Sequence, residues 1–227
     1  MTTNIDGSQV SDVTIDGAAV QEITMDGDVV FSAYSPWSKL VEEVDGFEDG
    51  DVSEWTEYQS QTINNGTLVA QQGTVINGDY SGELSGDNIE SRWKYDLNTQ
   101  DQQRDVGGRF RAPSRSGSGG DEFEIGFMAG GTRHILEFEM DGGLAVRVGG
   151  SASGASGSWN TGQTYGVEFQ IDWSGGTFDT ALDGTVIDTD MSLDDSNGVD
   201  AMHLGIDTHN SETNQPGYFD DFGFTTN

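Results

Sequence analysis

Apolar and polar residues alternate in short runs along most of the chain. Ser91, Trp93, Tyr95 and Leu97 fall on one face, with Arg92, Lys94 and Asp96 on the other. A period of two is the mark of a half-buried strand. Glu122-Phe-Glu-Ile-Gly-Phe-Met128, His134-Ile-Leu-Glu-Phe-Glu-Met140, Leu144-Ala-Val-Arg-Val148 and Tyr165-Gly-Val-Glu-Phe-Gln-Ile-Asp-Trp173 also read as strands. So do Thr67–Ala70, Val106–Ala112, Thr177–Leu182, Met202–Ile206 and Tyr218–Phe224. Asp141-Gly-Gly143 and Asp183-Gly184 supply hairpin turns, and Arg115–Gly120 and Gly149–Gly162 read as Gly/Ser loops. Many short strands, frequent turn signals and no long helical pattern predict an all-β chain built as an antiparallel β-sandwich.

The first 33 residues carry a second pattern, repeated every ten residues. Ile5-Asp-Gly7, Ile15-Asp-Gly17 and Met25-Asp-Gly27 each open a unit that continues to Val10, Val20 and Val30. Asp-Gly between β-rich segments signals a type I′ turn, which needs positive φ at both central positions. A meander of three or four short strands is expected. So short a segment buries too little to stand alone, and apolar groups fall on both of its faces. It is expected to mount the chain on further copies of itself or on a neighbouring subunit. Ser35-Pro36 could begin a short helix, so residues 34–44 are read as a linker or short helix and 45–227 as the sandwich.

Composition narrows the function. With 40 acidic and 9 basic residues the formal net charge is −31. Such a charge opposes nucleic acid and anionic membrane as partners. Acid spread along the whole chain resembles proteins of salt-loving organisms, in which salt screens self-repulsion. The 22 aromatic residues argue against disorder. The absence of cysteine excludes disulfides and thiolate chemistry. Met1-Thr-Thr-Asn-Ile-Asp6 does not read as a signal peptide, and no run is long enough for a membrane span.

The order of elements resembles the concanavalin A-like (laminin-G-like) jelly rolls. Gly46-Phe-Glu-Asp-Gly50 with Trp55, Gly108-Arg-Phe-Arg111, Tyr165–Trp173 before Leu182-Asp-Gly-Thr-Val-Ile187, and Tyr218-Phe-Asp-Asp-Phe222 carry the likeness. The front repeat resembles segments of tailed-virus baseplate and fibre proteins. Together these imply a non-enzymatic virion component (tail, baseplate or fibre) of a halophilic, archaeal virus. It would be a homotrimer, assembled with other virion proteins and carried on the particle. The jelly roll would recognise a host-surface glycan or glycoprotein. A carbohydrate-binding module, a glycosidase acting on host polysaccharide, and a capsid-decorating protein are the alternatives.

Four sets of residues are candidates for chemistry. In related jelly rolls a Glu after the opening Phe meets an Asp of the last strand around structural calcium. Glu48 with Asp220 or Asp221 matches those places. Laminarinase-type relatives carry Glu-x-Asp-x-Glu on one strand. Here Glu137-Phe-Glu-Met-Asp141 has the spacing with permuted identities, and Glu122-Phe-Glu124 lacks a third acid. Both are expected to be solvent-facing strand positions. His203, Asp207 and His209 share parity but span too much strand for one zinc. Arg92, Lys94, Arg104, Arg109, Arg111 and Arg115 hold six of the nine basic residues. They suit either an anionic glycan or salt bridges to neighbouring strands. Trp159, in the Gly/Ser loop, either stacks on a sugar with Arg109, Arg111 and Arg115 nearby or plugs the sandwich end.

Overall fold

The computed structural model describes residues 42–61, 66–86, 90–97, 105–115, 121–152, 157–193, 198–208 and 216–225, with six short strands ahead of them. Those six pair as β1 (Asn4–Ile5) with β2 (Ser8–Gln9), β3 (Thr14–Ile15) with β4 (Ala18–Ala19), and β5 (Glu22–Met25) with β6 (Asp28–Ser32). Ile5 pairs with Ser8, Ile15 with Ala18 and Met25 with Asp28. The Asp-Gly dipeptide between the strands of each pair lies outside the described residues. Among the described residues the three pairs are separate two-stranded sheets.

Among the described residues the sandwich has fifteen strands. In chain order they are β7 (Glu42–Asp45), β8 (Trp55–Gln61), β9 (Thr67–Gln71), β10 (Ser81–Ser85) and β11 (Glu90–Asp96). Then come β12 (Asp105–Arg111), β13 (Glu122–Ala129), β14 (Thr132–Glu139), β15 (Leu144–Val148) and β16 (Ser151–Ala152). The last are β17 (Thr164–Asp172), β18 (Thr177–Leu182), β19 (Thr185–Ser192), β20 (Ala201–Asp207) and β21 (Gly217–Thr225). One sheet runs β19-β18-β17-β12-β21-β10-β9, with β7 added on β21. The other runs β16-β15-β14-β13-β20-β11-β8. Every pairing is antiparallel, as a jelly roll requires. Residues 42–44, placed in the linker by the sequence reading, are sandwich strand: Glu42 pairs with Phe224 and Glu43 with Gly223. The remainder of the expected linker or helix, 34–41, lies outside the described residues. Among the described residues no helix is long and apolar enough to cross a membrane.

Alternation sets the core. Phe123, Ile125 and Phe127 of β13 meet Leu136 and Phe138 of β14, Leu204 of β20, and Phe110, Phe169 and Phe219 of the facing sheet, all fully buried. Each such side chain contributes about 1.5–3 kcal/mol by leaving water. Asp183 and Gly184 both take positive φ, +47° and +77°, which is the type I′ geometry their sequence calls for. Phe47 is less expected. It is fully buried at φ +59°, where a bulky residue is strained. Its N–H donates to Asp45 Oδ1 at 2.7 Å, and its ring stacks on Trp55 at 5.9 Å. Gly82 lies against that ring: a Cβ there would come within 2.6 Å of it. The strained turn is thus held by packing on both sides.

Candidate functional site

The polar face of the β13–β14–β20–β11 sheet gathers ionisable side chains that are far apart in sequence. Register explains how. Glu124 stands opposite Gly205 on one side and Glu137 on the other, and Gly205 stands opposite Arg92. Gly205 keeps the row closed: a Cβ there would sit 2.9 Å from Glu124 Oε2 and 3.2 Å from Arg92 Cγ. Lacking a side chain at that point, β20 lets Arg92 reach across it.

Glu124 is the hub and is fully buried. Arg92 donates to it through Nε at 2.9 Å and Nη2 at 2.7 Å. Arg133 Nη1 donates to Oε2 at 2.7 Å, and His203 Nε2 lies 2.7 Å from the same oxygen. Burial alone would raise the Glu124 pKa, but the His203 and arginine contacts outweigh it and hold the carboxyl well below its usual range. His203 is pushed down by burial, against the pull of Glu124, so its ring is neutral. An ionised Glu124 can only accept, so Nε2 carries the hydrogen and Nδ1 is the acceptor. Tyr58 then donates its O–H to Nδ1 across 2.9 Å. Burial pushes the Tyr58 phenol well above its ordinary value, which suits a donor and not a base.

Beside the hub lies a carboxylate pair. Glu122 is 6% exposed and Glu137 1%. Burial, and then the charge of Glu137, push Glu122 up to about 9. Glu137 is also raised by burial, with its Arg147 partner pulling the other way. Glu90 and Asp207 flank the group through contacts to Arg92. The rim is more open: the side chains of Arg133, Arg147 and Lys94 are 19%, 27% and 29% exposed.

Several expectations change on this geometry. Glu122, Glu124 and Glu137 are not solvent-facing strand positions. They are buried, because neighbouring strands supply three arginines to cover them. Arg92 serves Glu124, Lys94 serves Asp96 and Arg109 lies 2.9 Å from Asp221, so these bases form salt bridges and not a free anion site. His203 and Asp207 both lie on β20 but contact Glu124 and Arg92 separately. His209 and Arg104 lie outside the described residues.

Trp159 is fully buried against Phe110 and Phe138, and its Nε1 donates to Glu139 O at 2.8 Å. With no open face it cannot stack on a sugar; it is the plug. Arg115 lies over its ring at 5.1 Å and donates to its carbonyl. Arg109 and Arg111 sit instead on β12 in the other sheet, so the four residues do not form one site.

The predicted calcium residues do converge, on the loop before β10. Glu48 accepts N–H bonds from Asp79 at 2.8 Å and Tyr80 at 3.3 Å. Asp220 accepts from Asn77 N, Ser81 Oγ and Asp221 N. Asp221 accepts from Asn77 Nδ2 at 3.2 Å and faces Arg109. These oxygens point at donor hydrogens, so as arranged the three residues do not fit calcium. Among the described residues, Glu122, Glu124 and Glu137 are the group in which each residue offers one carboxylate oxygen within 4.8 Å of the others.

No protein-family model and no curated protein matches the sequence. Solved structures do share the fold. A protein titled sialidase superposes with a TM-score of 0.60 at 12% identity over 83% of this chain, and this chain spans only 19% of it. The cellulose-induced protein Cip1 gives 0.56 at 19% identity, covering 81% of this chain and 96% of its own. An endo-β-1,4-glucuronan lyase from Trichoderma reesei gives 0.52 at 16%, covering 81% and 94%. At such identities these likenesses establish the β-sandwich and not an activity.

Proposed function

We propose that the chain recognises carbohydrate on the polar face of the β13–β14–β20–β11 sheet. The observation that carries this is the buried hub at Glu124, ringed by Arg92, Arg133, His203 and Tyr58 from four other strands. Ionisable groups held far from their ordinary titration mark functional sites more often than structural ones. The sugar-handling titles among the structures that share the fold support this reading and add nothing to the virion-component reading. Arg133 and Arg147 form the accessible rim and would donate to sugar hydroxyls, and the Tyr58 oxygen, its hydrogen given to His203 Nδ1, would accept from one.

Charge selects the ligand. Every arginine of the site already faces a carboxylate, and the acids outnumber them. A neutral polysaccharide therefore suits the face better than a uronate or sulfated one. Calorimetry of the full chain against soluble neutral β-glucan, galactan and polyuronate tests this. Binding to a neutral glycan, weakened at least about 10-fold by Arg133→Ala and Tyr58→Phe, is expected from the loss of charge-assisted and neutral hydrogen bonds. Binding to no neutral glycan, or binding untouched by both changes, removes the reading.

One observation favours a second reading, glycoside hydrolysis. Glu122 holds a proton at neutral pH beside Glu137 and the ionised Glu124, and an acid next to a carboxylate is what glycosidic cleavage needs. Release of reducing sugar, abolished by Glu122→Gln, would establish it.

A further inference from the structure

A strand at the edge of a sheet offers unpaired N–H and C=O groups to any strand that approaches. Natural sheets blunt such edges with charge, brevity or a bulge. Among the described residues β7, β8, β16 and β19 are edge strands of the sandwich, and each is blunted. β7 carries Glu42, Glu43 and Asp45. β16 is two residues long. β8 carries Glu57 and meets β11 through a register shift. β19 carries Asp188 and Asp190, the latter at φ +57°, and its register against β18 is broken twice.

The fifth edge strand, β9, has none of these devices. Thr67-Leu-Val-Ala-Gln71 pairs with β10 in unbroken register. It holds no charge, and neither does any residue from Tyr58 to Gly78, in a chain with 40 acidic and 9 basic residues. Val69 is 39% exposed, one of two large apolar side chains left open among the described residues. The other, Val186, lies on the acidic β19. At the end of β9 the Gln71 side chain accepts from Gly73 N and Thr74 N and donates to Thr74 O. The loop that follows is therefore ordered without help from a partner.

We propose that β9 is the contact between two copies of this chain, which pair antiparallel about a two-fold axis at Val69. Charge selects the occupant. A chain of formal net charge −31 repels its own copy, so two copies can meet only where neither brings carboxylates. β9 is also self-complementary, as an isologous contact requires. In that register Val69 meets its own counterpart, and Leu68 meets Ala70 of the partner subunit. Leu68 is buried and Ala70 half-buried at the margin of the core, so the pairing continues the core across the axis. Glu83 stands opposite Val69 on β10. It would lie three strand spacings, roughly 14 Å, from its counterpart. That exceeds the Debye length of about 10 Å at 0.1 M salt. The contact belongs to the sheet opposite the proposed glycan face and does not depend on that reading.

The test is analytical ultracentrifugation of the full chain in about 1 M KCl, over a wide range of concentration, so that general repulsion is screened. The unaltered chain should associate reversibly. Val69→Glu sets like charges opposite each other and should split the assembly in half, lowering the association constant at least about 10-fold. Val186→Glu, on the blunted edge, should leave it unchanged. A chain that stays monomeric, which would leave the edge to another protein's strand, overturns the proposal. So does an assembly that Val69→Glu leaves whole, or one that Val186→Glu splits instead. Should Val69→Glu fail to fold, hydrogen exchange on the unaltered chain decides. The amides of residues 67–71 should gain protection as concentration rises, and exchange that is equal at every concentration removes the contact.

Discussion

Two acidic clusters sit on this sandwich, and they differ in what surrounds them. Beside the loop before β10, Glu48, Asp220 and Asp221 accept from five N–H and O–H donors of residues 77–81. In the middle of the other sheet, strand N–H groups are consumed by the ladder. Glu122, Glu124 and Glu137 must find side-chain partners instead, and arginines from β11, β14 and β15 supply most of them. One oxygen of Glu122 is left without any. A carboxylate at a loop is satisfied by the backbone whatever the distant sequence contains. A carboxylate at mid-sheet is satisfied only if the right side chains arrive from other strands, and the shortfall is where a ligand can enter.

The largest expected effect comes from breaking the mid-sheet hub. Glu124→Gln leaves Arg92 buried, and Arg133 half-buried, beside a neutral amide. Removing one partner of a buried ion pair costs about 3–5 kcal/mol. At roughly 2–4 °C per kcal/mol for a chain of this size, thermal melting should fall by on the order of 10 °C. A shift of only a degree or two would show that the hub is open to water and behaves as a surface network.

Asp220 should give the next largest effect, and it is read as a pH slope. Burial pushes its carboxyl up to about 7 from 3.8, with the Ser81 and backbone donors opposing. Between those values the folded chain holds the proton and the unfolded chain does not. The stabilisation is therefore complete below about pH 3.8 and is lost as pH rises through about 7. The melting temperature should fall across that window by more than in Asp220→Asn, in which nothing titrates at that position. General charge repulsion is common to both chains and cancels in the difference. Parallel melting curves for the two would mean that Asp220 ionises freely in the fold.

The contrast also explains what could be read from the sequence. Alternation and Asp-Gly turns sufficed for the sandwich, because both act over a few residues. Asp183-Gly184 is the clearest case, with the φ pair it was expected to have. The convergence of Glu48, Asp220 and Asp221 on one loop was also legible, but not that the loop's N–H groups would fill their oxygens. The mid-sheet site was not legible. Period two assigns Glu122 and Glu124 to a face without saying how deeply that face is buried. Burial came from Arg92 and His203, which lie 32 and 79 residues from Glu124. Gly205, whose missing side chain opens the path for Arg92, reads in sequence as an ordinary strand glycine. For Trp159 the sequence left two roles open, sugar stacking and a plug, because its Gly/Ser setting does not show the core it closes.

The smallest effect is expected at Glu48, and it separates the clusters most cleanly. Its carboxylate is exposed and accepts two backbone N–H groups, from Asp79 and Tyr80. Glutamine keeps one carbonyl acceptor and turns an NH2 toward the second donor. One hydrogen bond is lost, and both freed groups can reach water. A net cost of about 0.5–1 kcal/mol follows, or a melting shift of roughly 1–4 °C. That shift should be the same with and without added calcium, because the Glu48 oxygens serve hydrogens and not a cation. A calcium-dependent shift in the unaltered chain that Glu48→Gln removes would overturn this. Ordered N–H donors would then have to swing away to admit the ion, and the loop at 76–81 would be the element that moves.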